Sequence, residues 1–65
     1  MALGQTQYLY MVELTALEEH LSHSMDRVAR MHEKALRRKD FKAADRIHNL
    51  QRALNVAHRR TMRLQ

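Results

Sequence analysis

Apolar residues in this chain recur at alternating steps of three and four. One run passes through Leu14, Leu17, Leu21, Val28, Met31 and Ala35, with Ser24 filling a gap, and a second passes through Ala43, Ile47, Leu50, Leu54, Ala57 and Leu64, with Thr61 filling another. Such spacing marks a coiled-coil seam. The two runs are mirror images. Leu14 answers Leu64, Leu17 answers Thr61, Leu21 answers Ala57, Ser24 answers Leu54, Val28 answers Leu50, Met31 answers Ile47 and Ala35 answers Ala43, every pair equidistant from residue 39. Reversal about a single point predicts an all-α, antiparallel two-helix hairpin of the coiled-coil type.

The boundaries follow from capping chemistry. A single domain over residues 1–65 is expected, with helix 1 over about 6–37, a turn at 37–40 and helix 2 over about 41–64. Thr6 is an acceptable N-cap, residues 1–5 are expected to fray, and Thr15-Ala-Leu-Glu18 has the form of a capping box and offers a second start. Between them, Tyr8-Leu-Tyr-Met-Val12 reads as a helical extension or a short strand, with helix favoured because no turn signal follows. Ser22-His-Ser24 is a weak point where a third helix could begin, but the unbroken mirrored register argues for continuity. Asp40 suits the start of helix 2, where its carboxylate can accept amide hydrogens at the positive end of the dipole.

Around that turn, Lys39-Asp-Phe-Lys-Ala-Ala-Asp-Arg-Ile47 resembles the turn-and-helix segment of UVR-type helical hairpins in nucleotide-excision-repair proteins, and the tail helix of cysteinyl-tRNA synthetases. The similarity covers under a quarter of the chain. In the UVR pattern the paired alanines sit one place later, and an Arg-Asp pair stands where this chain has His48-Asn49. What the resemblance implies is a capped, tightly packed turn between antiparallel helices, and no function.

Composition narrows the class. At 65 residues a lone hydrophobic core supplies only a few kcal/mol, and with no Cys there is no disulfide to reinforce it. No Pro and a single glycine, Gly4, leave the body of the chain free of helix breakers. No segment approaches the roughly 20 apolar residues of a membrane span, and no secretory signal is visible. A cytoplasmic location is expected.

Function has to be read from what the hairpin leaves uncovered. In the mirrored register Tyr8, Leu9, Tyr10, Met11 and Val12 have no counterpart on helix 2, and five consecutive large apolar residues make a patch of the kind that marks interaction sites. A second stripe, Met25, Ala29, His32 and Leu36, runs beside the seam of helix 1, and Ala44, Ala53 and Val56 widen that of helix 2. Faces wider than a two-helix seam predict pairing of two hairpins into a four-helix bundle, a homodimer closed by a two-fold axis.

Charge is segregated as well. The first 24 residues hold Glu13, Glu18 and Glu19 and no Lys or Arg, whereas all 12 basic residues, against four acids, lie from Met25 onward. Pairing of the acidic start with Arg59, Arg60 and Arg63 is expected to support the antiparallel register. Arg27, Arg30, Lys34, Arg37, Arg38, Lys39, Lys42 and Arg46 then form a basic pole around the turn, a candidate contact for nucleic acid or an acidic partner.

Several chemistries are disfavoured. A ribbon-helix-helix strand at Tyr8–Val12 would carry no Lys, Arg or Asn to read bases, and helices of over 20 residues are too long for that fold. No short recognition helix is present, and only Phe41 lies near the basic pole to stack on single strands. Glu19, His20 and His23, or Asp45-x-x-His48, have ligand-like spacing, but neither group occupies the seam. With no Gly-rich phosphate loop and no pocket for an acid–base pair, no enzyme, cofactor, metal or small-molecule substrate is expected. The expected function is a non-catalytic protein–protein interaction module of adaptor, co-chaperone or regulatory type, binding itself and another protein. The alternative is a regulator that grips the phosphate backbone of nucleic acid through the basic turn end.

Overall fold

The computed structural model describes residues 2–65, with side chains from residue 4 onward; Met1 lies outside them. Two helices account for nearly all of it: α1 over Ala2–Arg37 and α2 over Phe41–Arg63. Helix α1 begins four residues before Thr6. Gly4 costs only about 1 kcal/mol relative to alanine, too little to stop a helix that no proline interrupts. Tyr8–Val12 is helical, not a strand, and the helix continues through Ser22-His23-Ser24 without a break. There the Ser24 hydroxyl accepts a hydrogen bond from the Arg27 guanidinium at 3.5 Å.

The reversal uses three residues. Lys39 adopts a left-handed conformation with φ of 58°, donates its N–H to Leu36 O at 3.0 Å, and lets Asp40 N–H reach back to Ala35 O at 3.0 Å. That pair of bonds is a Schellman closure, which satisfies the last carbonyls of α1. Asp40 then opens α2: its Oδ1 accepts from Ala43 N at 3.2 Å and its carbonyl accepts from Ala44 N at 3.0 Å. One residue ends the first helix and begins the second.

Burial shows which faces meet. The hairpin measures 57 × 15 × 11 Å, and its buried apolar residues are Leu14, Leu21, Val28 and Ala35, seven apart along α1, with Ala44 on α2. Thr61 is the one buried polar residue among those described, and its hydroxyl is satisfied by donating to Ala57 O at 2.9 Å. Half-buried positions complete the seam: Glu18, Ser24, Met25 and His32 on α1, and Ala43, Ile47, Gln51, Leu54, Ala57 and His58 on α2.

This corrects the expected seam in one respect. The helices are rolled by about one position, so Glu18, Met25 and His32 lie against α2 where Leu17, Ser24 and Met31 were expected to dominate. Leu17, Met31, Leu50 and Leu64 stay 45–59 % exposed. The mirror axis hardly moves, from residue 39 to the peptide between 39 and 40. Ala53 and Val56 also turn outward, while Ala44 belongs to the seam itself. Three alanines at the closed end, Ala35, Ala43 and Ala44, let the axes approach closely there, and the short turn fixes how α2 is rotated about its own axis. The apolar pattern carries no information about that rotation.

Two outcomes are expected. Leu21→Ala should lower the stability of the single hairpin by about 2–3 kcal/mol, and Leu50→Ala by under about 1 kcal/mol, since half of Leu50 is already in water; urea titration at low protein concentration measures both. Asp40→Ala should cost about 1 kcal/mol by removing the cap, whereas Lys39→Gly should gain about 0.5–1 kcal/mol by relieving the left-handed strain, as read by thermal unfolding followed by circular dichroism.

Candidate interaction surfaces

The unequal lengths of the helices generate the first surface. With 36 residues against 23, α1 runs about 18 Å past the level at which α2 ends, at 1.5 Å per residue over residues 2–13. Tyr8, Leu9, Tyr10, Met11 and Val12 lie on this projecting rod and are 44–68 % exposed. Consecutive helical residues are 100° apart, so five in a row cover the full circumference of the helix. Tyr8, Met11, Val12 and Thr15 line a shallow apolar hollow on one side of it. A helix that is hydrophobic all round is ordinarily an interior one.

The remaining exposed residues fall on two flanks of the hairpin. On one flank Met25, Asp26 and Ala29 face His48, Gln51, Arg52 and Asn55 across a cleft of about 350 Å³. The His32 and His48 rings meet on this side, with centroids 6.0 Å apart and planes tilted by 43°. That contact was not anticipated, although the two positions straddle the mirror axis almost symmetrically. Of the second stripe, Met25 and His32 are half-buried at the edge of the seam, and Ala29 and Leu36 are exposed beyond it. The stripe is therefore partly consumed by the hairpin's own packing.

The opposite flank carries residues that the apolar spacing places in the seam. Met31 joins Ala35, Ala43 and Ile47 along a shallow groove on this side near the turn. At seven-residue intervals it shares a row with Leu17 and Ser24 on α1, while Ala43, Leu50, Ala57 and Leu64 form the matching row on α2. Here large aliphatic residues alternate with small ones along the length of the hairpin.

The basic pole stands as a cluster of exposed side chains around the turn, with Arg30, Glu33, Lys34, Arg37 and Arg38 bordering an open hollow on the outer side of α1. Among the described residues there is one ion pair, Arg37 with Glu33 at 3.7 Å, one helical turn apart and well exposed. An exposed pair of that kind stabilises little. The expected pairing of Glu13, Glu18 and Glu19 with Arg59, Arg60 and Arg63 is not formed: Glu18 turns toward the seam and accepts a hydrogen bond from the Gln65 amide, and the three arginines border a hollow with Val56 on the outer side of α2. Charge is nonetheless polarised along the rod. Residues 25–54 carry nine basic and four acidic side chains, which is the whole net charge of +5, and residues 1–24 and 55–65 balance three against three.

Among the described residues no three His, Asp or Glu side chains converge as a metal site, and no helix is long and apolar enough to cross a membrane. No protein-family model matches the chain, and neither a curated protein nor a solved structure shows significant similarity to it.

Proposed function

We propose that this protein is a non-catalytic interaction module of the cytoplasm, acting as a helical-hairpin homodimer that holds a further protein as an adaptor, co-chaperone or regulator would. The observation that carries the reading is the apolar rod at Tyr8–Val12, exposed on every side. Its burial at about 25 cal/mol per Å² would contribute several kcal/mol, comparable with the stability of an isolated hairpin of this size. Tyrosine suits such a contact, because it offers a large rigid apolar area with one polar end.

The shape of the molecule supports self-association in particular. Its surface of 5711 Å² exceeds by on the order of 1,300 Å² the roughly 4,400 Å² of a globular monomer of 7.8 kDa. A standard interface takes about 800 Å² from each partner. The radius of gyration of 16.1 Å, against about 11 Å for a compact domain of this length, tells the same story. Among the described residues, thirteen large apolar side chains are exposed and none is fully buried.

A second reading rests on the basic pole: Arg27, Arg30, Lys34, Arg38, Lys42 and Arg46, with their neighbours, could neutralise phosphates of a nucleic-acid backbone without reading sequence.

Replacing Leu9, Tyr10 and Met11 together by Ser tests the first reading. The hairpin should stay helical by circular dichroism, since every seam residue is untouched, while sedimentation should show self-association or partner capture lost. Loss of helix with the substitutions would place the segment in a core instead. Salt separates the two readings: binding through the basic pole should weaken by at least tenfold between 50 and 200 mM salt, in a titration against duplex or single-stranded nucleic acid, whereas apolar docking should barely respond.

A further inference from the structure

The flank that carries Leu17, Met31, Leu50 and Leu64 is self-complementary, and the geometry points to a second copy of this chain covering it in an antiparallel arrangement, turn end against overhanging end. This deepens the homodimer reading proposed above, on which it rests.

In an antiparallel pair related by a two-fold axis across the helices, α1 lies on α1 of the other copy and α2 on α2. Setting the axis at Ser24 places Leu17 level with Met31 of the second copy. On α2 the same axis falls between residues 53 and 54, and it sets Leu50 level with Ala57 of the second copy and Leu64 level with its Ala43. The two settings agree with the hairpin's own register to within about one and a half residues, or about 2 Å. On α2 large residues meet small ones, which is how facing layers interdigitate, while on α1 Leu17 and Met31 meet on either side of the small Ser24 pair. Ser24, half-buried and small, is the residue on the axis.

The entire net charge of +5 sits in residues 25–54, the turn half of the rod. A parallel dimer would stack two such halves and place +10 at one end of the assembly. The antiparallel pair instead lays each charged half on the balanced half of the other copy. On the edge of the interface it brings Glu13 within one residue of the level of the second copy's Lys34.

With the axis at Ser24, Tyr8–Val12 of one copy lies level with residues 36–40 of the other. The overhang then runs alongside the turn, where Ala35, Arg38 and Ala43 border the groove on this flank. In a parallel dimer both overhangs would project from the same end with only each other for cover. The antiparallel arrangement uses the surplus length of α1; the parallel one leaves it in solvent.

The chain contains no cysteine, so single thiols report the geometry directly. Ser24→Cys should form an intermolecular disulfide in most of the protein under mild oxidation, because the two-fold axis brings the position onto itself. Lys42→Cys, on the outer side of α2, should give spin-label separations near 40 Å by pulsed electron resonance, from the rise along two half-rods. A dimer with no Ser24→Cys cross-link and label separations under about 25 Å would overturn the antiparallel arrangement and leave the homodimer reading standing. Long separations without the cross-link would overturn the choice of flank. A wild-type chain that sediments as a 7.8 kDa monomer up to millimolar concentration would overturn both the arrangement and the self-association on which it rests.

Discussion

Asp40 solves two hydrogen-bonding problems with one residue. Its N–H returns to Ala35 and closes α1, while its carboxylate and carbonyl take the amides of Ala43 and Ala44 and open α2. Ends of helices that lack such partners leave polar groups exposed to loss of hydrogen bonding. Because both ends are satisfied within three residues, the chain reverses with no slack. The register between the helices, the rotation of α2 about its axis and the length by which α1 outruns α2 all descend from that reversal. Moving it by a few residues would pair different faces and alter the overhang.

A seam between two helices hides a strip about one residue wide, with half-buried positions on either side. Each helix here is apolar over a broader arc than that. The excess cannot be removed by repacking within one hairpin, since covering Leu17 and Met31 would expose Glu18, Met25 and His32 in their turn. The structure settles with polar-tipped side chains lying along the seam, where their stems bury and their ends reach water. Leucines and methionines are left on the outer flank, where only another surface can remove them from solvent.

The mirrored spacing made the architecture legible from sequence: two helices, antiparallel, reversed near residue 39, with Tyr8–Val12 beyond the reach of the second and favoured as helix over strand only for want of a turn signal. These features depend on periodicity and on capping, both of which are local. The roll of the seam was not legible. Leu17 and Glu18, or Met31 and His32, are adjacent choices on neighbouring faces, and a count of apolar residues always prefers Leu17 and Met31. Such a count does not distinguish residues covered by their own chain from residues covered by another. The His32–His48 contact was missed for the same reason, because it belongs to the face the pattern scored as outside. The basic pole was legible as composition, but the failure of Glu13, Glu18 and Glu19 to meet the arginines of α2 depends on the roll and could not be read beforehand.

The mirror relation also dictates an order of assembly. Each layer of the seam closes a loop whose length grows with distance from the turn, from fewer than ten residues between Ala35 and Ala44 to more than forty between Glu18 and Thr61. Closing the longer loop alone would cost about 1.3 kcal/mol more in chain entropy than closing the shorter one. Added layer by layer, every new pair extends its loop by only a few residues, so the hairpin closes like a zipper from Asp40 outward. Opening runs the other way. The end of the seam at Leu14 and Thr61, farthest from the turn and next to the overhang, is the first to part and the last to re-form, which makes the end bearing the apolar rod the most easily loosened part of the molecule.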